Sequence, residues 1–160
     1  MNHHIKRILF KSYAVISITV FIAAILVFIC RFLSWEEFAG IAVGVFAFAF
    51  GVQKQNLREI KLFKELFEQF NDRYDKMNDD LNQIHEQPSD LTLTKDEKEK
   101  LFKYFNLCGE EWLYAKRGFI CEEVWKAWKS GMDYFRRNSR IKDFWDKELN
   151  DNDSYYGLEF

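Results

Sequence analysis

The sequence predicts an all-α protein: an N-terminal transmembrane helical hairpin, then a long helix, then a small cytosolic helical bundle. Three observations lead there. One proline and 7 glycines punctuate 160 residues, whereas a sandwich or barrel needs turn residues roughly every 8–12 positions. Two charge-free apolar runs lie near the N-terminus. Beyond them an apolar residue recurs at alternating spacings of four and three. The hydrophobic share of 48% and charged share of 30% exclude a disordered chain. A net charge of −2 supplies no general attraction to nucleic acid, so no direct nucleic-acid binding is expected. Three cysteines without a C-x-x-C make neither a disulfide framework nor a zinc or redox pair.

The predicted organisation is a membrane hairpin over residues 1–53, with spans of about 12–30 and 38–53, a heptad helix over 54–87, and a helical cytosolic domain over 94–160. Ser12 to Cys30 is nineteen residues without a charge, about 28 Å as a helix against a hydrocarbon core of roughly 30 Å. Lys6, Arg7 and Lys11 could form the basic region of a signal peptide, but the run is long for one and Arg31-Phe32-Leu33 is wrong for a cleavage site. The second run, Phe38 to Gln53, has sixteen residues, about 24 Å, so a re-entrant or interfacial segment is its alternative. Basic residues flank the pair on both outer sides, and Arg31 alone lies between them. The positive-inside rule then places both termini in the cytoplasm, as a multi-pass membrane protein. Gly40, Gly44, Ala47 and Gly51 form a small-residue stripe that suits close helix packing, either within the hairpin or between chains.

The first 52 residues hold 4 of the 23 basic and 2 of the 25 acidic residues, which leaves 53–160 at net −4. Asn56, Ile60, Phe63, Phe67, Phe70, Tyr74, Met77, Leu81 and Ile84 keep one helical seam. Aromatics at Phe63, Phe67, Phe70 and Tyr74 are too bulky for a two-stranded zipper, so the seam should dock on the following helices or on a neighbouring protomer. Thr94 with Glu97 is a capping box that opens the next helix, and Gly118 ends it. Further helices are expected from about Glu122 to Arg136 and Ser139 to Leu149, followed by an irregular aromatic tail that packs back.

Chemistry is sparse. His3, His4 and His85 are expected to be solvated and inert, and Cys108, on an apolar helical face, to be buried filler. Neighbouring carboxylates such as Glu110-Glu111 point about 100° apart on a helix and are expected on solvated faces. No catalytic, cofactor or metal residues are assigned. Arg136, Arg137 and Arg140 make the one basic cluster, a candidate contact for a partner or for anionic lipid against an ordinary exposed helix junction.

Phe70-Asn71-Asp72-Arg73-Tyr74-Asp75-Lys76-Met77-Asn78, Tyr104-Phe105-Asn106-Leu107-Cys108-Gly109-Glu110-Glu111-Trp112, Gly118-Phe119-Ile120, Val124 to Met132 and the closing Ser154-Tyr155-Tyr156-Gly157 resemble small bacterial membrane proteins described as phage abortive-infection proteins. The layout is also similar to the membrane accessory proteins of type VI-B CRISPR loci. The resemblance implies a membrane-anchored homo-oligomer that forms a pore or perturbs the membrane in anti-phage defence, working beside a phage-sensing or CRISPR nuclease component. The alternative is a membrane-tethered helical adaptor for a soluble partner. The second likeness also implies a distantly HEPN-like fold, whose nucleases use Arg-polar-x-x-x-His. Here Arg137-Asn138-Ser139-Arg140-Ile141-Lys142 ends in lysine, whose ordinary pKa of about 10.4 suits it poorly to proton shuttling. An RNase is accordingly the least favoured reading.

Overall fold

The computed structural model of the chain describes residues 3–150 and 154–160, and side chains from Ile8 onward except those of 9 and 11. Among the described residues every regular element is helical: α1 (His3–Ile29), α2 (Trp35–Glu86), α3 (Lys95–Lys116), α4 (Glu122–Phe135), α5 (Ser139–Leu149) and a closing turn at Ser154–Gly157. The chain divides into two compact units, Met1–Lys61 and Leu62–Phe160, with the boundary inside α2. The side chains of His3, His4, Lys6, Arg7 and Lys11, and residues 151–153, lie outside the described residues.

In the first unit, α1 and the start of α2 form an antiparallel hairpin. Phe28 stacks on Phe38 at 4.9 Å and meets Trp35 at 6.0 Å, while Phe21 meets Phe46 at 5.8 Å. The turn is built from local chemistry. Arg31 takes the left-handed region at φ 61°, which lets the Phe32 N–H donate to the Val27 carbonyl and the Arg31 N–H to that of Phe28, closing α1 in a Schellman motif. Ser34 then opens α2. Its N–H donates to Glu37 Oε2 at 2.8 Å, and Ser34 Oγ accepts from the Glu37 N–H at 3.2 Å. The helix starts at Trp35 and continues past Gln53, so the sixteen-residue length of the charge-free run does not limit a span. Both helices are long and apolar enough to cross a membrane.

The second unit is held together by two apolar clusters. One centres on Leu81, Ile84, Leu101, Phe105, Ile141 and Trp145, the other on Leu66, Phe70, Leu107 and Ile120. Heptad positions Phe70, Leu81 and Ile84 are buried, with Tyr74 and Met77 packed beside them, so that part of the seam docks on α3–α5. Ile60 and Phe67, higher on the seam, stay exposed. Trp145 stacks on Phe105 at 4.4 Å, and truncating a buried ring of this kind to alanine costs about 3–5 kcal/mol.

The capping box expected at Thr94 is present, with the Thr94 N–H donating to Glu97 Oε2 at 2.7 Å. Gly118, at φ 77°, terminates α3 in a second Schellman motif. The tail packs back through its closing turn. Tyr155, Tyr156 and Gly157 are successively left-handed, Leu158 is buried, and Phe160 lies 4.8 Å from Trp145. Gly109 of α3 permits this approach, because a Cβ there would fall 3.0 Å from the Tyr155 backbone.

Candidate functional site

The second unit carries a cleft of about 240 Å³ where three helices meet. From α2 come Asn71 and Tyr74, one helical turn apart; from α3 come Tyr104 and Glu111; from α4 come Trp128, Gly131 and Met132. Glu111 is only 5% exposed. Arg73, the cation whose charge acts on it, is already committed to Glu110, with Nη1 donating to Oε2 at 2.5 Å and Nη2 to Oε1 at 3.1 Å. No hydrogen bond or ion pair reaches the Glu111 carboxyl from the described residues. Burial pushes this carboxyl up to about 8, against a partial pull downward from Arg73. At neutral pH the cleft therefore favours the carboxylic acid over the carboxylate.

The neighbouring groups are also uncharged. Burial raises Tyr74, and raises Tyr104 and the Cys108 thiol well above their ordinary values. The Tyr74 hydroxyl donates to Asn78 Oδ1 at 3.0 Å, and Asn71 Nδ2 donates to the Phe67 carbonyl at 2.8 Å. Glu111 is left as the one uncommitted charge-bearing group of the cleft. An acid with no histidine in the cleft, and whose one neighbouring carboxylate, Glu110, is bound to Arg73, can hold a cation or donate one hydrogen bond. It does not form an acid–base pair, and no group of three metal-ligating side chains occurs among the described residues.

Several expectations are corrected here. Glu110 and Glu111 are not a solvated pair: the first is bound to Arg73 and the second is buried. His85 is not solvated, since its ring stacks on Tyr134 at 4.4 Å and meets Phe135 edge-on. Cys108 is fully buried, as expected of filler.

The basic cluster is split. Arg140 is buried and unavailable to lipid or a partner. Its Nη2 donates to Glu97 Oε1 and Oε2 at 3.1 and 3.2 Å, and its Nη1 to Gln87 Oε1 at 3.2 Å and the Ile84 carbonyl at 3.4 Å. Burial would raise Glu97, but the Thr94 and Arg140 hydrogen bonds outweigh it and hold the carboxyl below its ordinary value. Asn138 is a second clasp, donating to the His85 and Gln87 carbonyls at the end of α2. Arg136 lies 4.0 Å over the Phe160 ring and pairs with Asp146 at 2.8 Å. Only Arg137 is exposed, 5.7 Å over Tyr134. Lys142, where a HEPN nuclease would need histidine, pairs with Asp146 at 2.6 Å.

In the first unit the small-residue stripe does not serve the hairpin. Gly40, Gly44, Ala47 and Gly51 are exposed, and a Cβ built at any of the three glycines meets nothing within 4 Å. Phenylalanines make the contact with α1 instead. Of the four seam aromatics, Phe70 is buried, Phe63 and Tyr74 are half-buried, and Phe67 is exposed while stacking on Trp128 at 6.1 Å.

The sequence missed Glu111 as a site residue, although a signal existed. It stands three residues after Cys108 and one before Trp112, inside the apolar arc of α3, where a charge is out of place. Comparison with known proteins adds nothing to this geometry: no family model, curated protein or solved structure matches the chain.

Proposed function

We propose that this chain is a membrane-anchored, self-associating protein of bacterial anti-phage defence, whose N-terminal hairpin acts on the bilayer by opening or perturbing it. One observation carries the anchoring. Val15, Ile18, Ile22, Leu26 and Ile29 of α1 are each more than half exposed, as are Val43, Phe46 and Phe50 of α2. In water such a surface is unfavourable by about 25 cal/mol per Å² of apolar area, whereas lipid tails or neighbouring apolar helices cover it without cost. Basic residues on the outer flanks support an arrangement with both termini cytoplasmic. Self-association is supported by the open Gly40/Gly44/Ala47/Gly51 face, since small residues unused inside a hairpin leave room for a second backbone. The defence role is supported by the resemblance of the Phe70–Asn78 and Tyr104–Trp112 stretches to abortive-infection proteins.

Liposomes carrying purified, inserted protein test the membrane action. Release of ions or dye, rising with the number of protomers per vesicle, is expected. Tight vesicles holding verified oligomer would refute it. A tethered adaptor is the second reading, favoured by the cleft at Glu111, which lies entirely in the second unit. On that reading, replacing residues 1–52 by an unrelated anchor preserves the biological effect; on the leading one it abolishes the effect.

A further inference from the structure

We propose that the cleft between α2, α3 and α4 is a binding site for a small organic cation, one ammonium group on an apolar body of about one aromatic ring, with Glu111 as its counter-ion. The proposal is independent of what the membrane hairpin does.

The second unit buries two carboxylates, and treats them differently. Glu97 is 7% exposed and fully served, by the Thr94 cap and by the Arg140 guanidinium. Glu111 is 5% exposed and receives no hydrogen bond or ion pair from the described residues, because Arg73, which acts on it only through its charge at a distance, is turned to Glu110 in a bidentate pair. An unpaired acid inside a protein is destabilising, and the fold keeps it where it borders an open cleft rather than sealed core. The partner it lacks is a cation, and no basic side chain lines the cleft.

The remaining walls suit an organic cation better than a metal ion. Tyr74, Tyr104 and Trp128 line the cleft together with the acid, and aromatic rings attract ammonium groups through their quadrupoles while shielding them from water. A metal ion would need several oxygen or nitrogen ligands, and beyond Glu111 the cleft offers only Asn71 and two neutral tyrosine hydroxyls, with Asn71 and Tyr74 already hydrogen-bonded along α2. The volume of about 240 Å³ exceeds the roughly 150 Å³ cavity that accommodates benzene, so one ring and a short ammonium arm fit. Gly131 of α4 contributes to that space: a Cβ there meets nothing within 4 Å.

Binding would also move a proton. The free site holds Glu111 protonated at pH 7, and the cation would hold it ionised. Tyr74, Tyr104 and Cys108 beside it are kept neutral by burial, and the Glu110 carboxylate holds Arg73 in its charged form, so none of these four releases a proton in this range.

Calorimetric titration of the full-length protein in detergent with 2-phenylethylammonium, repeated in two buffers of different ionisation heat, tests the site. Saturable binding with release of about one proton per cation at pH 7 is expected. The isosteric neutral probe 2-phenylethanol should bind weaker by on the order of tenfold or more. Glu111→Gln should lose a similar factor and all of the proton release. Gly131→Leu, which keeps the acid and fills the cleft, should abolish binding; it also controls for uptake of either probe by the micelle. Equal binding of the alcohol and the ammonium, retention of affinity in Glu111→Gln or in Gly131→Leu, or no saturable binding by the wild type would each overturn the assignment.

Discussion

Replacing Glu111 by glutamine should stabilise this protein, and by an amount that depends on pH. Burial holds the Glu111 carboxyl at about 8 in the folded chain, against 4.5 when it is free. Between those values the unfolded chain loses a proton that the folded chain keeps, so stability falls as pH rises from about 4.5 and levels off above about 8. Each pH unit in that window is worth about 1.4 kcal/mol, so the penalty is roughly 1 kcal/mol at pH 5 and about 3 kcal/mol at pH 7. Glutamine has nearly the same shape and no proton to lose, so it escapes the penalty. Tryptophan-fluorescence melts of the full chain in detergent at pH 5, 6, 7 and 8 read this directly. The gap between variant and wild type should widen with pH, reaching on the order of 10 °C at pH 7. The other titrating groups are common to both proteins and cancel in the difference. A gap that does not change with pH, or a variant less stable than wild type at pH 7 and 8, would refute the reasoning.

Arg140→Ala leaves Glu97 buried without its cation and removes the guanidinium donor to the Ile84 carbonyl of α2, and should cost about 3–5 kcal/mol in chemical unfolding; a loss below 1 kcal/mol would mean that the pair is open to water. Gly109→Ala drives a methyl group into the Tyr155 backbone, so the closing turn should lift from α3 at a cost of about 1–3 kcal/mol, seen as faster proteolysis after residue 150 with α3 itself intact. A Cβ at Gly44 meets nothing within 4 Å, so Gly44→Leu should leave insertion unchanged while reducing cross-linking between protomers, because it separates helix backbones in lipid; unchanged cross-linking would retire the stripe as a contact.

What could be read from the sequence was whatever depends on neighbours in the chain. The Thr94–Glu97 box, the Gly118 stop and the heptad from Asn56 to Ile84 are set by residues three, four or seven apart, and each lies where spacing places it. The Ser34–Glu37 box carries the same local signal, yet the second span was bounded by its charge-free run, which begins at Phe38 only because Glu36 and Glu37 precede it, whereas the helix starts at Trp35. What could not be read depends on partners far along the chain. Arg140 looks like part of an exposed basic cluster until Glu97, 43 residues earlier, receives it. Glu111 looks like half of a surface pair until Arg73 chooses Glu110. The direction of the glycine stripe was equally hidden, because a stripe specifies that something may approach closely and not which helix does.

The central claim is that α1 and the start of α2 cross the bilayer with the second unit on the cytoplasmic side. The chain's own cysteines test it: Cys30 at the turn after α1 and Cys121 ahead of α4 are exposed, and Cys108 is buried. A membrane-impermeant maleimide applied to intact spheroplasts should label Cys30 and spare Cys121 until the membrane is lysed. Labelling of both before lysis, or protection of Cys30 with labelling of Cys121, would contradict the account.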